Sequence, residues 1–244
     1  YGLEVNGGAE LYCRQMAEKL TQFYDVTVLT TKAVDYISWR NEYENDEEVI
    51  QGVKIRRFEV EQERNIDEFN VINQKVLNGT IIMEEEQEWI DKQGPYVPHL
   101  IEFLHDNKNQ YHVFIFITYL YYTTVMGIQQ VANKSIVIPT AHDEPFLKMK
   151  IYKGVFCFPK AIFYNTYEEK KLVEERFGNS CIKNEIGGIG IDVPATIEPY
   201  RFKAKYGLDN YIVYVGRIDT GKNCEELFEY FKRFKTHDLS STKL

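Results

Sequence analysis

From Pro98 onward the chain alternates between two hydrophobic periods, and this alternation limits the possible folds more than any other feature of the sequence. A helical pattern near Pro98 to Asn107 gives way to the run Val113-Phe-Ile-Phe-Ile117. A second helical stretch, near Tyr121 to Ala132, leads to Ser135-Ile-Val-Ile138, and a further strand-like run spans Ala161 to Asn165. Strands separated by helices of this length read as βαβ units, hence as a parallel sheet. The runs are almost continuously apolar, as in strands covered by helices on both faces. A doubly wound, Rossmann-like α/β sheet is expected.

Upstream, Gly7-Gly8-Ala9-Glu10 opens a helical pattern with the stripe Cys13, Met16, Ala17, Leu20 and Phe23, followed by a strand-like Val26 to Thr31. Residues 41–70 carry ten acidic and four basic side chains around the short run Val53 to Phe58, and Glu84 to Glu88 add more acid. Blocks of like charge repel and stay wet, so these read mainly as a solvated face. Thr166 to Glu169 has the form of a capping box, and Gly178 suits a left-handed helix stop. After a strand at Ile182 to Ile186, Gly187 to Pro194 and Pro199 punctuate the chain.

The domain boundary is placed near 195–200. Residues 1–198 then form one domain, expected to lack its first strand, and residues 199–244 open a second. The second offers a strand at Tyr211 to Val215 and a helix capped by Asn223 with Glu226, whose apolar stripe is Leu227, Phe228, Phe231 and Phe234. A segment of about 40 residues seldom makes its own core, so this domain is read as incomplete.

The 244 residues hold 29 basic and 37 acidic side chains, net −8, with 44% hydrophobic content. Disorder is excluded, and the net acidity argues against a nucleic-acid binder. Residues 199–244 depart from the rest, with nine basic and six acidic side chains suited to an anion. The four cysteines are far apart and no secretory leader pattern opens the chain, which favours the cytoplasm. The longest uncharged stretch, Asn109 to Asn133, is too interrupted by polar residues to span a bilayer, so membrane contact is at most peripheral, at the inner face.

Several motifs are suggestive and incomplete. Gly216-Arg-Ile-Asp-Thr-Gly221-Lys222-Asn223 has the spacing of a phosphate loop in a strand-to-helix context, but Asn223 lacks the hydroxyl that would ligate magnesium. What remains is a helix start with two cations, Arg217 and Lys222, which is an anion site in kind. Gly187-Gly188-Ile-Gly190 resembles part of a dinucleotide fingerprint, yet Pro194 falls where a helix should begin. His142 follows a parallel strand, at the end of the sheet where open α/β folds bind ligands. The other four histidines carry no such placement, and no His/Cys spacing resembles a zinc site. Asp143 and Glu144 are adjacent, unlike the opposed carboxylates of a glycosidase. Tyr119, Tyr121 and Tyr122 read either as a sugar-stacking surface or as a wet rim of the core.

Four separated motifs together resemble the group 1 (family 4) retaining glycosyltransferases of GT-B architecture, two facing Rossmann-like domains. They are Gly7-Gly8-Ala9-Glu10, Pro139-Thr-Ala-His142-Asp-Glu-Pro145, Gly188-Ile-Gly190-Ile-Asp192, and Tyr214-Val-Gly216-Arg217-Ile-Asp219 with Lys222-Asn223. The resemblance spans essentially the whole chain, as the acceptor-side domain and the opening of the donor-side domain. It implies a nucleotide-sugar donor whose diphosphate is held by Arg217 and Lys222, with Gly8 admitting donor and acceptor. His142 would lie near the transferred sugar, with Gly7, Asp143 and Gly190 in supporting loops. It implies no metal or other cofactor, a carbohydrate or lipid-linked acceptor, and no nucleic acid. The family's Glu-x7-Glu region would lie beyond Leu244, and Ile189 stands where many members place Asn, so the chain as it stands is expected to be inactive or weak. Two other readings compete: a non-catalytic carbohydrate-binding or scaffold remnant of the same fold, and a sugar-nucleotide epimerase.

Overall fold

Two sheets organise the chain in the computed structural model, which describes residues 1–244 apart from 6, 191, 192, 194, 217, 219–221 and 239. The larger is all parallel and runs in chain order: β4 (Phe114–Ile117), β5 (Ser135–Ile138), β6 (Ala161–Tyr164) and β7 (Lys183–Ile186). Register pairs Phe114 with Ser135, Ile136 with Ala161, and Ala161 with Lys183. Parallel neighbours need a crossover at every step. Here α5 (Tyr122–Val131), α6 (Lys153–Cys157) and α7 (Tyr167–Phe177) supply them.

The smaller sheet has the order β1 (Thr27–Thr31), β3 (Val53–Phe58), β2 (Glu47–Ile50). β1 runs parallel to β3, whereas β2 and β3 form a hairpin closed by Gln51 and Gly52, at φ 50° and 81°. Two central residues with positive φ are what a type I′ hairpin turn requires. The α/β class and the parallel sheet with helical crossovers are as the sequence pattern predicts; the strands upstream of β4 form a separate sheet, because among the described residues no ladder joins β1 to β4. A sheet continues only where backbones pair, and among the described residues no strand bridges these two edges. The sheets communicate through side chains instead, with Leu29 and Phe58 packed against the core that contains Phe114.

That core is built from α2 (Ile66–Leu77), α3 (Met83–Gln93), α4 (Pro98–Asn107), α5, α7 and the parallel sheet. Trp89, Ile90, Val97, Ile128, Tyr152, Phe156 and Val173 are essentially inaccessible. The Trp89 ring stacks on Phe146 at 5.2 Å, and its N–H donates to Asn73 Oδ1 at 3.0 Å, so the one polar atom of the largest core side chain is satisfied. A satellite cluster holds Tyr1, Val53, Ile55 and Ala17 of α1 (Gly8–Leu20). Phe23, expected on the α1 stripe, is 76% exposed. The helix stops at Leu20, and the following turn carries Phe23 off the buried face.

The chain divides into two compact units, Tyr1–Gly190 and Ile191–Leu244. In the second unit, α8 (Pro199–Tyr206) begins on a proline at its first turn, where a missing N–H costs nothing. The expected strand at Tyr211 to Val215 does not form. Tyr211 makes an isolated bridge to Lys243, with Ile212 N to Lys243 O at 2.8 Å, while Val213 and Val215 are exposed. β-branched composition cannot make a strand without a neighbour to pair with. The helix α9 (Cys224–His237) does follow Asn223, but not as a side-chain cap: Asn223 is left-handed at φ 54°, and its amide donates to Glu226. Among the described residues, no helix is long and apolar enough to cross a membrane.

Candidate functional site

The parallel strands end abruptly. Thr118 follows β4 at φ 68° and Thr140 follows β5 at φ 51°. A non-glycine residue in this region is disfavoured by about 1–2 kcal/mol, and such strain persists only where neighbouring contacts impose it. Here Thr118 N donates to Ile138 O at 2.9 Å, Tyr119 N to Pro139 O at 3.0 Å, and Thr124 Oγ1 to Thr118 O at 2.8 Å. The two kinks turn Tyr119 and Ala141 into the core and leave His142 and Asp143 exposed.

The loop carrying His142 has little regular structure beyond the short 3₁₀ turns Pro145–Lys148 and Lys150–Tyr152, yet it is tethered along its length. Glu169, on the first turn of α7, is 6% exposed; its two oxygens accept from Ala141 N at 2.6 Å and Asn165 N at 2.7 Å. One carboxylate thus ties the turn after β5 to the turn after β6. At the loop's far end the buried Glu86 accepts from Lys150 N at 3.0 Å and Ile151 N at 2.7 Å. In between, Tyr119 OH donates to Glu144 Oε1 at 2.5 Å, and Arg176 Nη2 donates to Lys148 O at 2.7 Å. Burial pushes the Glu169 carboxyl up, opposed by the N–H donors of Asn165, Ala141 and Thr166 and by the neighbouring charge of His142. Burial, with the charge of Glu144, pushes the Tyr119 phenol far up and keeps it a donor.

Tyr121 connects this loop to other elements. Its hydroxyl is raised first by burial and then by Glu10 of α1, with Arg64 opposing, and Tyr36 and Glu144 adding smaller effects. Tyr12, also on α1, feels the charge of Glu169. Glu10 and Tyr12 of α1 are therefore within electrostatic reach of Tyr121 and Glu169, which follow β4 and β6 at the carboxyl ends of the parallel strands, where open α/β sheets place their ligands.

Gly7 and Gly8 open α1 on that side. Gly7 is extended at φ −72°, and a Cβ there would meet the tip of the flexible Glu10 side chain. At Gly8 a Cβ would meet nothing, and the residue is exposed. Neither position needs glycine for backbone conformation or packing. Gly190 is likewise exposed with open space around it.

Of the residues singled out in the sequence, Gly7, Gly8, His142 and Asp143 lie in the first unit, all four exposed, and Gly190 is its last residue. Lys222 is exposed, just before α9. Arg217, with Asp192 and Asp219, lies outside the described residues. Glu144 accepts from the Tyr119 hydroxyl, whereas Asp143 is exposed. Tyr119 and Tyr122 are core residues, and Tyr121 alone of the three stays half-buried. Sequence reasoning missed Glu169, which shows only as a helix cap, and Arg64 and Trp39. Arg64 was hidden in an acidic run read as solvated, and no local signal marked it. Among the described residues, no three His, Cys, Asp or Glu side chains are gathered to hold a metal ion.

Fold and site together define an α/β protein with a parallel four-stranded sheet and a tethered polar loop cluster at its carboxyl end. No protein-family model, curated protein or solved structure matches the chain.

Proposed function

We propose that this chain is the acceptor-side part, with the opening of the donor side, of a cytoplasmic retaining glycosyltransferase of the group 1, GT-B kind, which moves a sugar from a nucleotide-sugar to a carbohydrate or lipid-linked acceptor. The observation that carries this reading is Gly8. Gly8 is the first residue of α1, where the ~1 kcal/mol that glycine costs in a helix interior applies only in part, and nothing within 4 Å of a Cβ there makes glycine necessary for packing. A bare backbone at a helix start, on the helix whose Glu10 reaches Tyr121 electrostatically, suits close approach of a ligand.

In this reading Gly7 and Gly8 let donor and acceptor approach the N–H groups of α1. His142, on its tethered loop, faces the transferred sugar. Arg217 and Lys222 offset the charge that grows on the leaving diphosphate. The reaction needs positioning and electrostatic stabilisation, and no metal step is invoked.

Calorimetric titration of the protein with uridine, guanosine and adenosine diphosphate sugars tests this. Binding of one donor, weakened tenfold or more by Arg217→Ala or Lys222→Ala (about 1.4 kcal/mol per decade), is the expected result. Unchanged affinity in both variants refutes the assigned site. Binding of sugars alone, with no nucleotide dependence, means a carbohydrate-binding module, and epimerised donor formed without acceptor means an epimerase.

A further inference from the structure

Residues 41–70 hold ten acidic side chains, so an arginine there has carboxylates close by in sequence. Arg56 pairs with Glu47, Arg57 with Glu48, and Arg40, just upstream, with Glu63. Arg64 is different: among the described residues no carboxylate comes within 4.0 Å of it. Its neighbours are engaged elsewhere. Glu63 faces Arg40, and Glu68 takes Lys92 and the Asn65 amide. Asp35, whose charge does reach Arg64, accepts from the N–H groups of Ile37 and Ser38 at 2.6 and 2.8 Å and from the Ser38 hydroxyl at 2.9 Å.

The Arg64 guanidinium is half-buried, 5.4 Å from the Trp39 ring centre and 4.6 Å from that of Phe69. It donates to the Gln93 carbonyl, and its buried Nε has no acceptor. A guanidinium offers five N–H donors in a planar fork. Here the Nε–H is buried without an acceptor, and a bound oxyanion would supply one.

The surroundings are fixed in place. Trp39 sits at φ 56°, strained for so large a residue, and its indole N–H donates at 2.8 Å to the same Gln93 carbonyl. Its ring meets Tyr121 edge-on at 5.6 Å, and the Tyr121 hydroxyl feels the charges of Arg64, of Glu10 on α1 and of Glu144 on the His142 loop. A cation lacking a counter-ion thus stands beside two aromatic side chains at the edge of the proposed site.

We propose that Arg64 fixes an acidic group, phosphate or carboxylate, on the sugar that enters this site, with the sugar ring lying against Trp39 and Tyr121. This rests on the acceptor-side reading above and specifies the acceptor class: a sugar bearing an oxyanion.

The test titrates the full chain with glucose 6-phosphate, glucuronate and methyl glucoside, read by calorimetry and by the indole N–H resonance of Trp39. At least one acidic sugar should bind tenfold or more tightly than methyl glucoside, and the tighter of the two identifies phosphate or carboxylate. Arg64→Gln should abolish that preference and leave methyl glucoside binding unchanged. The proposal is overturned if the wild-type protein shows no preference or binds none of the three, or if the preference survives in Arg64→Gln. Should that variant not fold, the Arg64 Nε–H resonance of the wild-type protein decides: it must move with the preferred acidic sugar and not with methyl glucoside. Nucleotide-sugar titration separates the two proposals. An acidic-sugar preference through Arg64 without donor binding sinks the transferase reading alone, and donor binding without the preference sinks the Arg64 assignment alone.

Discussion

Replacing Glu169 with glutamine removes one negative charge and one acceptor from a position where two backbone N–H groups converge. In the wild-type protein Oε1 and Oε2 each take one N–H, from Ala141 at 2.6 Å and Asn165 at 2.7 Å. Glutamine keeps one acceptor and turns an NH₂ toward the other N–H, so one charge-assisted bond of about 1.5–3 kcal/mol is lost and a buried donor is left facing a donor. Part of this is offset, because burial disfavours the ionised carboxylate in the folded chain, as its raised pKa shows. The net expectation is a loss of about 1–2 kcal/mol. For a unit of this size that lowers the melting temperature by about 2–8 °C. The more specific readout is amide hydrogen exchange, since Ala141 and Asn165 should lose protection while core amides such as Ile162 keep theirs beyond the global change. If the melting temperature and both amides are unaffected, the carboxylate does not hold the His142 loop.

Other outcomes follow from the same contacts. Because the Glu169 pKa is raised above its ordinary value of 4.5, the native state binds more protons than the unfolded state just above that pH, and stability should fall as pH rises through that window; urea melts of wild type and Glu169→Gln across it should show this component in the wild type alone, and identical pH profiles would remove it. Gly8→Ala should leave the melting temperature unchanged or raise stability by less than the ~1 kcal/mol of a helix interior while weakening nucleotide-sugar or acceptor binding; equal binding to the wild type would mean Gly8 serves no ligand. Gly127→Ala should destabilise despite better helix propensity, by about 1 kcal/mol net of overpacking, because its Cβ would stand 2.8 Å from the Phe116 ring and 3.0 Å from Leu104; a higher melting temperature would show that α4 and β4 yield easily.

What could be read from the sequence was whatever depends on local period and cap chemistry. The strand at Ser135 to Ile138, the helix at Pro98 to Asn107 and the short strand at Val53 to Phe58 carry their own signals, and the structure places them at those residues. Pairing is not local. Val26 to Thr31 and Val113 to Ile117 both read as strands, one a β-branched run and the other an apolar one, and nothing in either says that they end as edges of two different sheets. Tyr211 to Val215 shows the same limit more sharply, since its composition asks for a strand and the chain offers only a bridge to Lys243. The site divides along the same line. Gly8 and His142 stand out because glycine at a helix start and histidine after a strand are unusual where they fall. Glu169 and Arg64 are ordinary in sequence, a helix-cap acid and a basic residue in a charged run. Their character appears only when folding buries Glu169 and half-buries Arg64, giving one a pair of N–H donors and the other, among the described residues, no carboxylate within 4.0 Å. A buried charge is defined by its partners, and these come from segments tens of residues away: Ala141 for Glu169, Trp39 and Gln93 for Arg64. The residues hardest to read from sequence are therefore those whose chemistry is completed by tertiary contact, and for Arg64 that completion is the oxyanion proposed above.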